Sequence, residues 1–520
     1  MLLLALLLMP GCKVGPNYTR PPVPTTQKYA EAPTTQVSTG TEQKAQWWKS
    51  FNDPVLDKLV DIAYGQNLTL QVAGLRVLEA RAQRGIEVGR FFPQVQSVDA
   101  SYSHVGVSNN TATVFQPRFF DSTSAGFNAT WELDAWGKFR RGIESADQSL
   151  YSSVMNYDDA LVTLVADVAT AYVNLRGLDE RVRLAQENVG IQQNSLDIAN
   201  VRYKAGGTSE LDVQQAKAQL SDTQALVPTL ELARKQQENQ LCVLLGIPPQ
   251  DLTEILGSRE QPVPAPPDQT AVGIPADLLR RRPDIRRAEA DAAAQCAQIG
   301  VAKADLYPHF SLFGTIGYTA ENPGDLFNNS SLTYQMGPGF RWDILNYGRI
   351  TNNVRVQDAR FEELLKQYQN TILTAQQDVS NSITSLVHSR EEAVYLGDSV
   401  VAGKRSVELS TTQYRAGGVD FIRVLNATEF LLQQEQSMVI SRVNVATAAI
   451  SLNRALGGGW ELRRDDEFVP APTIDEMRKR TNWGDITASD YGSKKDMIFF
   501  KRPTTPGQSA AAEPGQSGQP

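Results

Sequence analysis

Residues 138–205 read KFRRGIESADQSLYSSVMNYDDALVTLVADVATAYVNLRGLDERVRLAQENVGIQQNSLDIANVRYKA, a stretch without proline. Apolar residues recur in it at heptad spacing, which keeps one seam of a helix against a neighbouring helix over many turns. These positions are Leu161, Val168, Leu175, Val182, Val189 and Leu196. With a rise of about 1.5 Å per residue, the stretch predicts one helix roughly 100 Å long, which is too long for a globular core.

A second copy of this stretch lies 211 residues further along the chain. The turn Tyr203-Lys204-Ala205-Gly206-Gly207 corresponds to Tyr414-Arg415-Ala416-Gly417-Gly418. The same offset relates Trp131, Trp136, Gly137 and Lys138 to Trp342, Tyr347, Gly348 and Arg349. The second heptad series is Ile372, Val379, Leu386, Ala393, Val400 and Val407. Agreement at so many spaced positions predicts that the chain is a duplicated unit.

The composition is that of a folded protein without transmembrane helices. Hydrophobic residues make up 41% and charged residues 21% of the 520 residues. No apolar stretch reaches the length of about 18 residues that a membrane-spanning helix needs. The net charge of -8 argues against nucleic acid as a partner. Cys242 and Cys296 lie in helical patterns and are expected to fill space in the core.

The N-terminal residues predict a lipoprotein. Leu2 to Met9 form an apolar run that is too short to span a membrane but suits a signal peptide, so residues 1–11 are predicted to be removed. Cys12 follows Gly11, the arrangement of a processing site at which the thiol is acylated and the cysteine becomes the mature N-terminus. No Lys or Arg precedes the apolar run. The next residues are rich in proline and predict an extended strap.

Two pairs of strands are predicted, because the hydrophobic period changes after each first helix from the helical value to the strand value. In residues 123–133 the apolar face carries Ala125, Phe127, Ala129, Trp131 and Leu133, and the opposite face is polar or small. Residues 310–318 and 332–342 alternate similarly, and residues 94–104 alternate less cleanly. Strands of about 10 residues with aromatic ends are typical of outer-membrane barrels, which have a lipid face and a lumen face. Half of a soluble β-sandwich alternates in the same way.

The helices of each repeat are predicted to reach equal heights. Residues 54–90 predict one helix. The long helix is expected to end at Ala205-Gly206-Gly207, because glycine adopts the left-handed conformation of a helix C-cap. Ser209 and Asp212 predict a capping box that starts a helix reaching Leu245. Each shorter helix is roughly 55 Å long, so two laid end to end match the long one.

These elements divide the chain into six segments. They are a signal peptide (1–11), a lipid-anchored strap (12–53), repeat 1 (54–246), a proline-rich linker (247–282), repeat 2 (283–460) and a partly disordered C-terminal extension (461–520). Each repeat is expected to contain a half-length helix, two strands, the long helix and a second half-length helix.

Four strands cannot close a barrel, and an open sheet in lipid leaves unpaired backbone groups that cost several kcal/mol each. Three copies supply about twelve strands, an even number within the range of membrane barrels. The predicted fold is therefore a mixed α+β membrane protein: a trimeric transmembrane β-barrel, four strands per chain, that continues into a long α-helical barrel. A barrel that continues into a helical tube is a conduit.

Several motifs together resemble the outer-membrane factors of the TolC and OprM type, with the NodT-type lipoproteins among them. They are the two Tyr-x-Ala-Gly-Gly turns, residues 131–138 and 342–349, Arg282-Pro-Asp-Ile-Arg286, Gly11-Cys-Lys-Val-Gly-Pro-Asn-Tyr18 and Leu456-Gly-Gly-Gly-Trp460. The resemblance implies a homotrimeric exit duct in the bacterial outer membrane, anchored in outer-membrane lipid. It also implies two partners, a periplasmic adaptor and an inner-membrane pump of the RND type, and a cargo of drugs, toxic compounds or metal ions.

The resemblance further implies a gate at the periplasmic tip. Its residues are Tyr203, Leu211, Asp212, Gln215, Tyr414, Asp420, Ile422, Arg423 and Asn426. Family members often carry an aspartate where this chain has Asn426. We expect Arg423 to pair with Asp212 or Asp420 and to hold the tip closed. The adaptor is expected to dock at Ala205, Gly206, Gly207, Ala416, Gly417 and Gly418.

No catalytic set is recognisable, and His104, His309 and His388 lack metal-ligand spacing, so no enzymatic activity, cofactor or metal is expected. Three other interpretations stay open at this point. The same duct could serve a protein-secretion system. A lipoprotein could tether the outer membrane through coiled coils, which would need no alternating strands. A lipid-anchored soluble β/α protein is the third.

Overall fold

The computed structural model describes residues 12–23, 37–38, 46–108, 110, 117–271, 281–463 and 467–488. The first repeat consists of α1 (Pro54–Gln66), α2 (Leu68–Gly89), β1 (Val95–Gly106), β2 (Phe119–Leu133), α3 (Lys138–Lys204) and α4 (Glu210–Leu244). The second repeat consists of α5 (Pro283–Ala304), β3 (His309–Ala320), β4 (Leu332–Arg341), α6 (Arg349–Arg415) and α7 (Phe421–Ala455), and is followed by α8 (Ala471–Arg480). The predicted signal peptide lies outside the described residues.

The two long helices have the same length and the same kind of start. Helices α3 and α6 each contain 67 residues, and α4 and α7 each contain 35. Gly137 and Gly348 precede the long helices with φ angles of 78° and 81°, a conformation that side chains rarely adopt. The duplication seen in the sequence is therefore also a duplication of structure.

The single helix predicted for residues 54–90 is wrong in one respect, because it is broken at Asn67. Asn67 is extended, and its side-chain oxygen accepts a hydrogen bond from the backbone nitrogen of Leu70, which caps α2. Asparagine favours such caps because its side chain satisfies a free N–H at a helix start. The hydrophobic period continues through Asn67, so the period alone does not reveal the break.

The half-length helices meet end to end in both repeats. In the first, the Asn67 amide donates a 2.8 Å hydrogen bond to the carbonyl of Leu244, where α4 ends. In the second, Arg282 donates to the carbonyl of Ala455, where α7 ends, at 2.9 Å. A Cβ added to Gly246 would lie 2.4 Å from the carbonyl oxygen of Gln66, so this junction requires glycine. The predicted stacking of short helices into columns is what the structure shows.

The four strands form one antiparallel sheet in the order β1-β2-β3-β4. One row across the sheet contains Val98, Phe127, Ile316 and Tyr334, all from the predicted apolar face. On the opposite face, hydroxyls and amides bond to one another, as in the 2.8 Å hydrogen bond between Ser101 and Ser124. Within the described residues, β1 and β4 are each paired on one side only.

The apolar face of the sheet is not covered by any part of the chain that the structure describes. Val98 is 80% exposed and Met336 is 76% exposed, and Ile316, Tyr334 and Phe340 are also exposed. A soluble β-sandwich buries this face in its core, so that interpretation does not fit. The tether interpretation also fails, because it has no place for four paired strands.

The main hydrophobic core lies at mid-height of the helices and includes residues outside the repeats. Trp47, Trp48 and Phe51, at the end of the predicted strap, are buried with Leu161 and Val168 of α3. Val37–Ser38 and Thr270–Ala271 form a short parallel pair that joins the strap to the linker. The strap is therefore part of the core at this end, which its proline-rich start did not indicate.

The C-terminal extension is more ordered than its composition indicated. Phe468, Val469 and Met477 are buried in the main core. Arg463 donates a 2.7 Å hydrogen bond to the Asp158 carboxylate on α3. A Cβ on Gly74 would fall 2.0 Å from the carbonyl oxygen of Phe468, so the segment lies directly on α2. Residues 467–488 are thus a packed belt, and the expected disorder does not apply to them.

One helix, α3, contains an 18-residue window with a mean hydropathy of 1.3, long and apolar enough to cross a membrane. Within the chain, 72% of that window is buried. Burial of this kind is typical of a core helix, since a helix that is apolar on most sides needs neighbours on most sides. The window thus reflects the central place of α3 in the fold.

Candidate functional site

The turns at the tips of the two helical hairpins have the same geometry. The nitrogen of Gly207 donates to the carbonyl of Arg202 at 2.8 Å, and that of Gly206 to the carbonyl of Tyr203 at 3.0 Å. Gly418 and Gly417 repeat both bonds at the second tip. This pair of bonds is a Schellman motif, which needs a left-handed residue after the helix. Ala205 and Ala416 cap the helices, and all six turn residues are exposed.

The capping box predicted for Ser209 and Asp212 is not formed. Ser209 is the N-cap residue of α4, but its side chain makes no capping hydrogen bond. The Asp212 carboxylate accepts instead from the Thr208 hydroxyl and, at 3.3 Å, from the Tyr414 hydroxyl. Asp212 is thereby directed away from its own helix and toward the second hairpin.

Arg202 joins the two tips and was not singled out by its sequence. Its guanidinium lies 4.4 Å from the centre of the Tyr414 ring, within the range of a cation–π interaction. Two of its nitrogens donate to the carbonyls of Tyr414 and Gly207. The equivalent residue in the second copy is Gln413, and this difference between the copies is the signal that could have identified Arg202.

Tyr414 is the centre of a small core at the tip. It is 2% exposed, and its ring packs edge-on against Phe421 at 5.4 Å between ring centres. Ala199, Ala216 and Val424 complete the buried set. Burial raises the pKa of the Tyr414 hydroxyl above its usual value, so the hydroxyl is a proton donor at neutral pH. Arg202, Tyr414 and Asp212 thus connect both long helices with α4.

The other predicted gate residues are not joined in the same way. Tyr203, Leu211, Asp420, Ile422, Arg423 and Asn426 are exposed, and Gln215 is partly exposed. The expected pairing of Arg423 with Asp212 or Asp420 is wrong within the protomer, since no such ion pair occurs among the described residues. Arg423 follows Asp420 at the start of α7, and its backbone nitrogen donates to the Asp420 carbonyl at 3.1 Å. The Asp212 carboxylate is instead bonded to Thr208 and Tyr414.

The predicted lipidation residue, Cys12, is exposed beside the junction between sheet and helices. The nitrogen of Val14 donates to the carbonyl of Trp136 at 3.1 Å. The buried guanidinium of Arg141 donates to the carbonyls of Val14 and Gly15 and to the Asn17 side chain. These bonds fix the residues after Cys12 at the level where the strands end and α3 begins.

Among the residues that the structure describes, no three His, Cys, Asp or Glu side chains form a group that could hold a metal ion. His104 and His309 instead bond to single carboxylates, Asp121 at 2.6 Å and Glu132 at 2.7 Å. The features that distinguish this chain are therefore its exposed apolar sheet and its joined helical tips.

Comparison with known proteins identifies the same arrangement. The chain is 31% identical over 460 residues to Nodulation protein T of Rhizobium leguminosarum bv. viciae, which covers 87% of this chain and 92% of that protein. It is 31% identical over 432 residues to the pyoverdine export outer membrane protein OpmQ of Pseudomonas aeruginosa, with 81% and 88% covered. The solved structure of the outer-membrane channel OprN superposes with a TM-score of 0.81 at 31% identity, over 86% of this chain and all of that one.

The relatives are outer-membrane channel and efflux proteins rather than enzymes. The family model for outer membrane efflux proteins matches residues 59–247 and 274–458, which are the two repeats. The predicted fold, a four-stranded part of a membrane barrel continued by a helical tube, and the outer-membrane location are confirmed. The chain belongs to the outer membrane efflux protein family.

Proposed function

We propose that three copies of this chain form the exit duct of a tripartite efflux pump, with a periplasmic adaptor and an inner-membrane transporter of the RND type as partners. One observation carries the proposal: two strands of the exposed apolar sheet lead, through the short connections 134–137 and 342–348, into helices of 67 residues. At about 1.5 Å per residue, such helices extend roughly 100 Å away from the membrane. A duct of this length reaches deep into the periplasm.

Trimerisation follows from the edges of the sheet. Strands β1 and β4 each have one unpaired side within the described chain, and lipid contains no water to satisfy them. Pairing β4 of one copy with β1 of the next closes a barrel when about twelve strands are present, which three copies supply. A detergent-corrected mass of three protomers is the expected result, and a stable monomer would overturn this part of the proposal.

The tips are proposed as the gate. Arg202, Tyr414 and Asp212 hold the two hairpins of each protomer together, and this contact replaces the Arg423 latch expected from the sequence. Leu211, Gln215, Ile422, Arg423 and Asn426 follow the turns on α4 and α7 and are proposed to line the constriction. Asn426 leaves the constriction without the carboxylate ring that favours cations.

Planar-bilayer conductance separates the two proposed roles. Arg202→Ala should raise the open fraction of the channel, because it releases the contact between the hairpins. Arg423→Ala should change ion selectivity toward cations, with little change in the open fraction. If both variants conduct as the wild type does, these residues do not act at the gate.

The exposed turns at Ala205–Gly207 and Ala416–Gly418 are proposed as the adaptor contact, because they form the outermost surface of the tube. Tyr203 is 45% exposed beside them and is assigned to the same surface. Cys12 is proposed to carry acyl chains in the membrane leaflet next to the strand ends, a position that the Arg141 contacts support. Metabolic labelling with palmitate, lost in Cys12→Ser, tests the anchor.

The proposed cargo is small molecules. The name of one relative records export of pyoverdine, which favours small-molecule efflux over protein secretion. A strain lacking the gene should accumulate a fluorescent efflux dye, and the cloned gene should reverse that accumulation. If dye accumulation stays unchanged while a secreted protein is lost from the medium, the secretion alternative is correct.

A further inference from the structure

The contact between the two repeats of one chain indicates how two neighbouring copies would meet. In the upper half of the chain, α3 packs between α2 and α5, and α5 packs between α3 and α6. Helix α6 repeats α3, and α5 repeats α2. Helix α3 has α5 as its neighbour on this side, but α6 has no corresponding neighbour within the described chain. Because α2 is the equivalent of α5, α2 of another copy can fill that place.

Two offsets relate the equivalent residues. Residues of α3 and α6 differ by 211, and residues of α2 and α5 differ by 215. Hydrogen bonds inside each repeat confirm the offsets: Trp131 donates to the carbonyl of Phe91 at 3.2 Å, and Trp342 donates to that of Leu306 at 3.1 Å. The equivalence therefore holds for contacts as well as for sequence.

The first contact between the repeats involves an aromatic pair just below the sheet. Trp136 stacks on Tyr307 at 4.8 Å between ring centres, and its ring nitrogen donates to the carbonyl of Pro308 at 2.8 Å. The equivalents of Trp136 and Tyr307 are Tyr347 and Phe92. Tyr347 is 97% exposed with a φ of 50°, and Phe92 is 55% exposed. An exposed aromatic ring on a strained backbone, without a stacking partner among the described residues, indicates a missing partner.

The second contact lies further from the sheet, between α3 and α5. The Ser152 hydroxyl donates to the Asp291 carboxylate at 2.5 Å between α3 and α5. The equivalents of these residues are Glu363 and Arg76, which have opposite charge and are both exposed. Arg76 has no ion pair among the described residues. The corresponding contact between two copies would therefore bring together two exposed side chains of opposite charge.

A third observation concerns the space between the helices. A Cβ on Gly300 of α5 would lie 2.8 Å from the Arg141 side chain of α3. Gly85 is the equivalent residue of α2, and a Cβ there meets nothing within 4 Å. The same close approach is thus available at Gly85, with Asn352 of α6 at the position of Arg141. One ion pair between the repeats is not repeated in this way. Lys138 pairs with Asp305, but the equivalents of these residues are two arginines, Arg349 and Arg90. Glu87 binds Arg90 at 2.7 Å and neutralises its charge.

We propose that Tyr347 and Glu363 of one protomer contact Phe92 and Arg76 of a second copy of this chain. Tyr347 stacks on Phe92 at the membrane end of the interface, Glu363 pairs with Arg76 below it, and α6 approaches α2 closely at Gly85. This inference rests on the proposed trimer and specifies how its subunits meet.

Charge exchange tests the pair. Glu363→Arg and Arg76→Glu should each raise the protein concentration at which half of the trimer dissociates by about tenfold. The dissociation constant of a trimer scales with the square of that concentration, so this is a change of about 2.7 kcal/mol per trimer. The two substitutions together should restore the wild-type value. Glu408→Arg is the matched control on α6. Its equivalent on α3, Asp197, is exposed although α3 has helices on both sides, so position 408 should also stay exposed in the trimer. Detergent-corrected mass across a dilution series is the measurement.

Cross-linking of the membrane-embedded protein tests the contact between Tyr347 and Phe92. A short bis-maleimide should convert Phe92→Cys/Tyr347→Cys into covalent dimers and trimers on a denaturing gel. Phe92→Cys/Tyr395→Cys is the control, because exposed Tyr395 lies roughly 70 Å further along α6. A wild-type trimer without cross-links and without charge rescue overturns this interface but leaves the proposed duct intact. A wild-type monomer overturns both.

Discussion

Helices α3 and α6 have the same length and the same turn sequence, yet they differ sharply in burial. Thirty residues of α3 are buried within the chain, whereas only 11 residues of α6 are. Helix α3 lies between α2 and α5 above and between α4 and α7 below, whereas among the described helices α6 packs mainly against α5 above and α7 below. The sequence copies specify the same local structure, and the neighbours decide what each copy does.

The difference extends to individual side chains. At mid-height, Asp179 of α3 is buried between Arg234 at 2.6 Å and Arg176 at 3.6 Å. Its equivalent on α6 is Arg390, which is only half-buried and donates to the carbonyls of Pro267 and Asp268. The first position is a charged network inside the protomer, and the second binds the linker at the surface.

The largest expected effect separates these two mid-height positions. Asp179→Ala removes a carboxylate from buried Arg176 and Arg234 and leaves Arg234 with Glu238 at 3.4 Å, which should lower the free energy of unfolding by about 3–5 kcal/mol. Arg390→Ala should cost about 1 kcal/mol, because water replaces its bonds. Chemical denaturation of the helical circular dichroism signal in detergent measures both. Equal losses would contradict the comparison.

A second prediction compares the two turn tyrosines. Tyr414→Ala removes a buried ring and should destabilise the tip by about 3 kcal/mol, whereas Tyr203→Ala should cost less than about 1 kcal/mol. Hydrogen exchange of the amides near residue 420 should accelerate in the first variant only. Similar protection in both would show that burial of Tyr414 does not stabilise the tip.

A third prediction concerns pH at the C-terminal belt. Burial raises the pKa of the fully buried Asp158 carboxyl to about 6, although Arg463 opposes the shift. The folded protein then binds this proton more tightly than the unfolded chain, so the free energy of unfolding falls as pH rises from about 4 to about 6.

In Asp158→Asn that fall should be smaller, because burial also raises the pKa values of other carboxyls such as Asp159 and Asp179, while Gln369→Glu, at the equivalent position on partly exposed α6, should leave it unchanged. Denaturation midpoints at several pH values between these limits measure the slope. A wild-type slope that survives in Asp158→Asn would assign the effect to another group.

The smallest expected effect is that of the arginine at the first tip. Arg202→Ala removes a cation–π contact and two hydrogen bonds, worth about 1–2 kcal/mol together. Gln413→Ala, at the equivalent exposed position, should change stability by less than about 0.5 kcal/mol. Hydrogen exchange at residues 199–216 distinguishes them, and equal exchange rates would remove Arg202 from the gate.

The candidate site was only partly predictable. The turns at residues 205–207 and 416–418 followed from glycine chemistry, and the strand faces followed from alternation, because both depend on neighbouring residues in the chain. Arg202 was missed, since its partner Tyr414 lies on the other hairpin, 212 residues away in the sequence. The pairing expected for Arg423 does not occur in the protomer, where Asp212 contacts Tyr414. The packed belt at 467–488 was missed for a similar reason, since its contacts are with distant elements, and the break at Asn67 was missed because the hydrophobic period continues through it.

The sequence by itself determined the duplicated unit, the long helices with their glycine turns, the two-faced strands and the family. Each of these depends on local backbone preference or on a period that a short window reveals. The tertiary structure decided which copy of each motif is buried, because burial depends on what packs against a residue. Tyr203 and Tyr414 occupy the same motif, but contacts with Arg202, Asp212 and Phe421 make Tyr414 part of the joined tip.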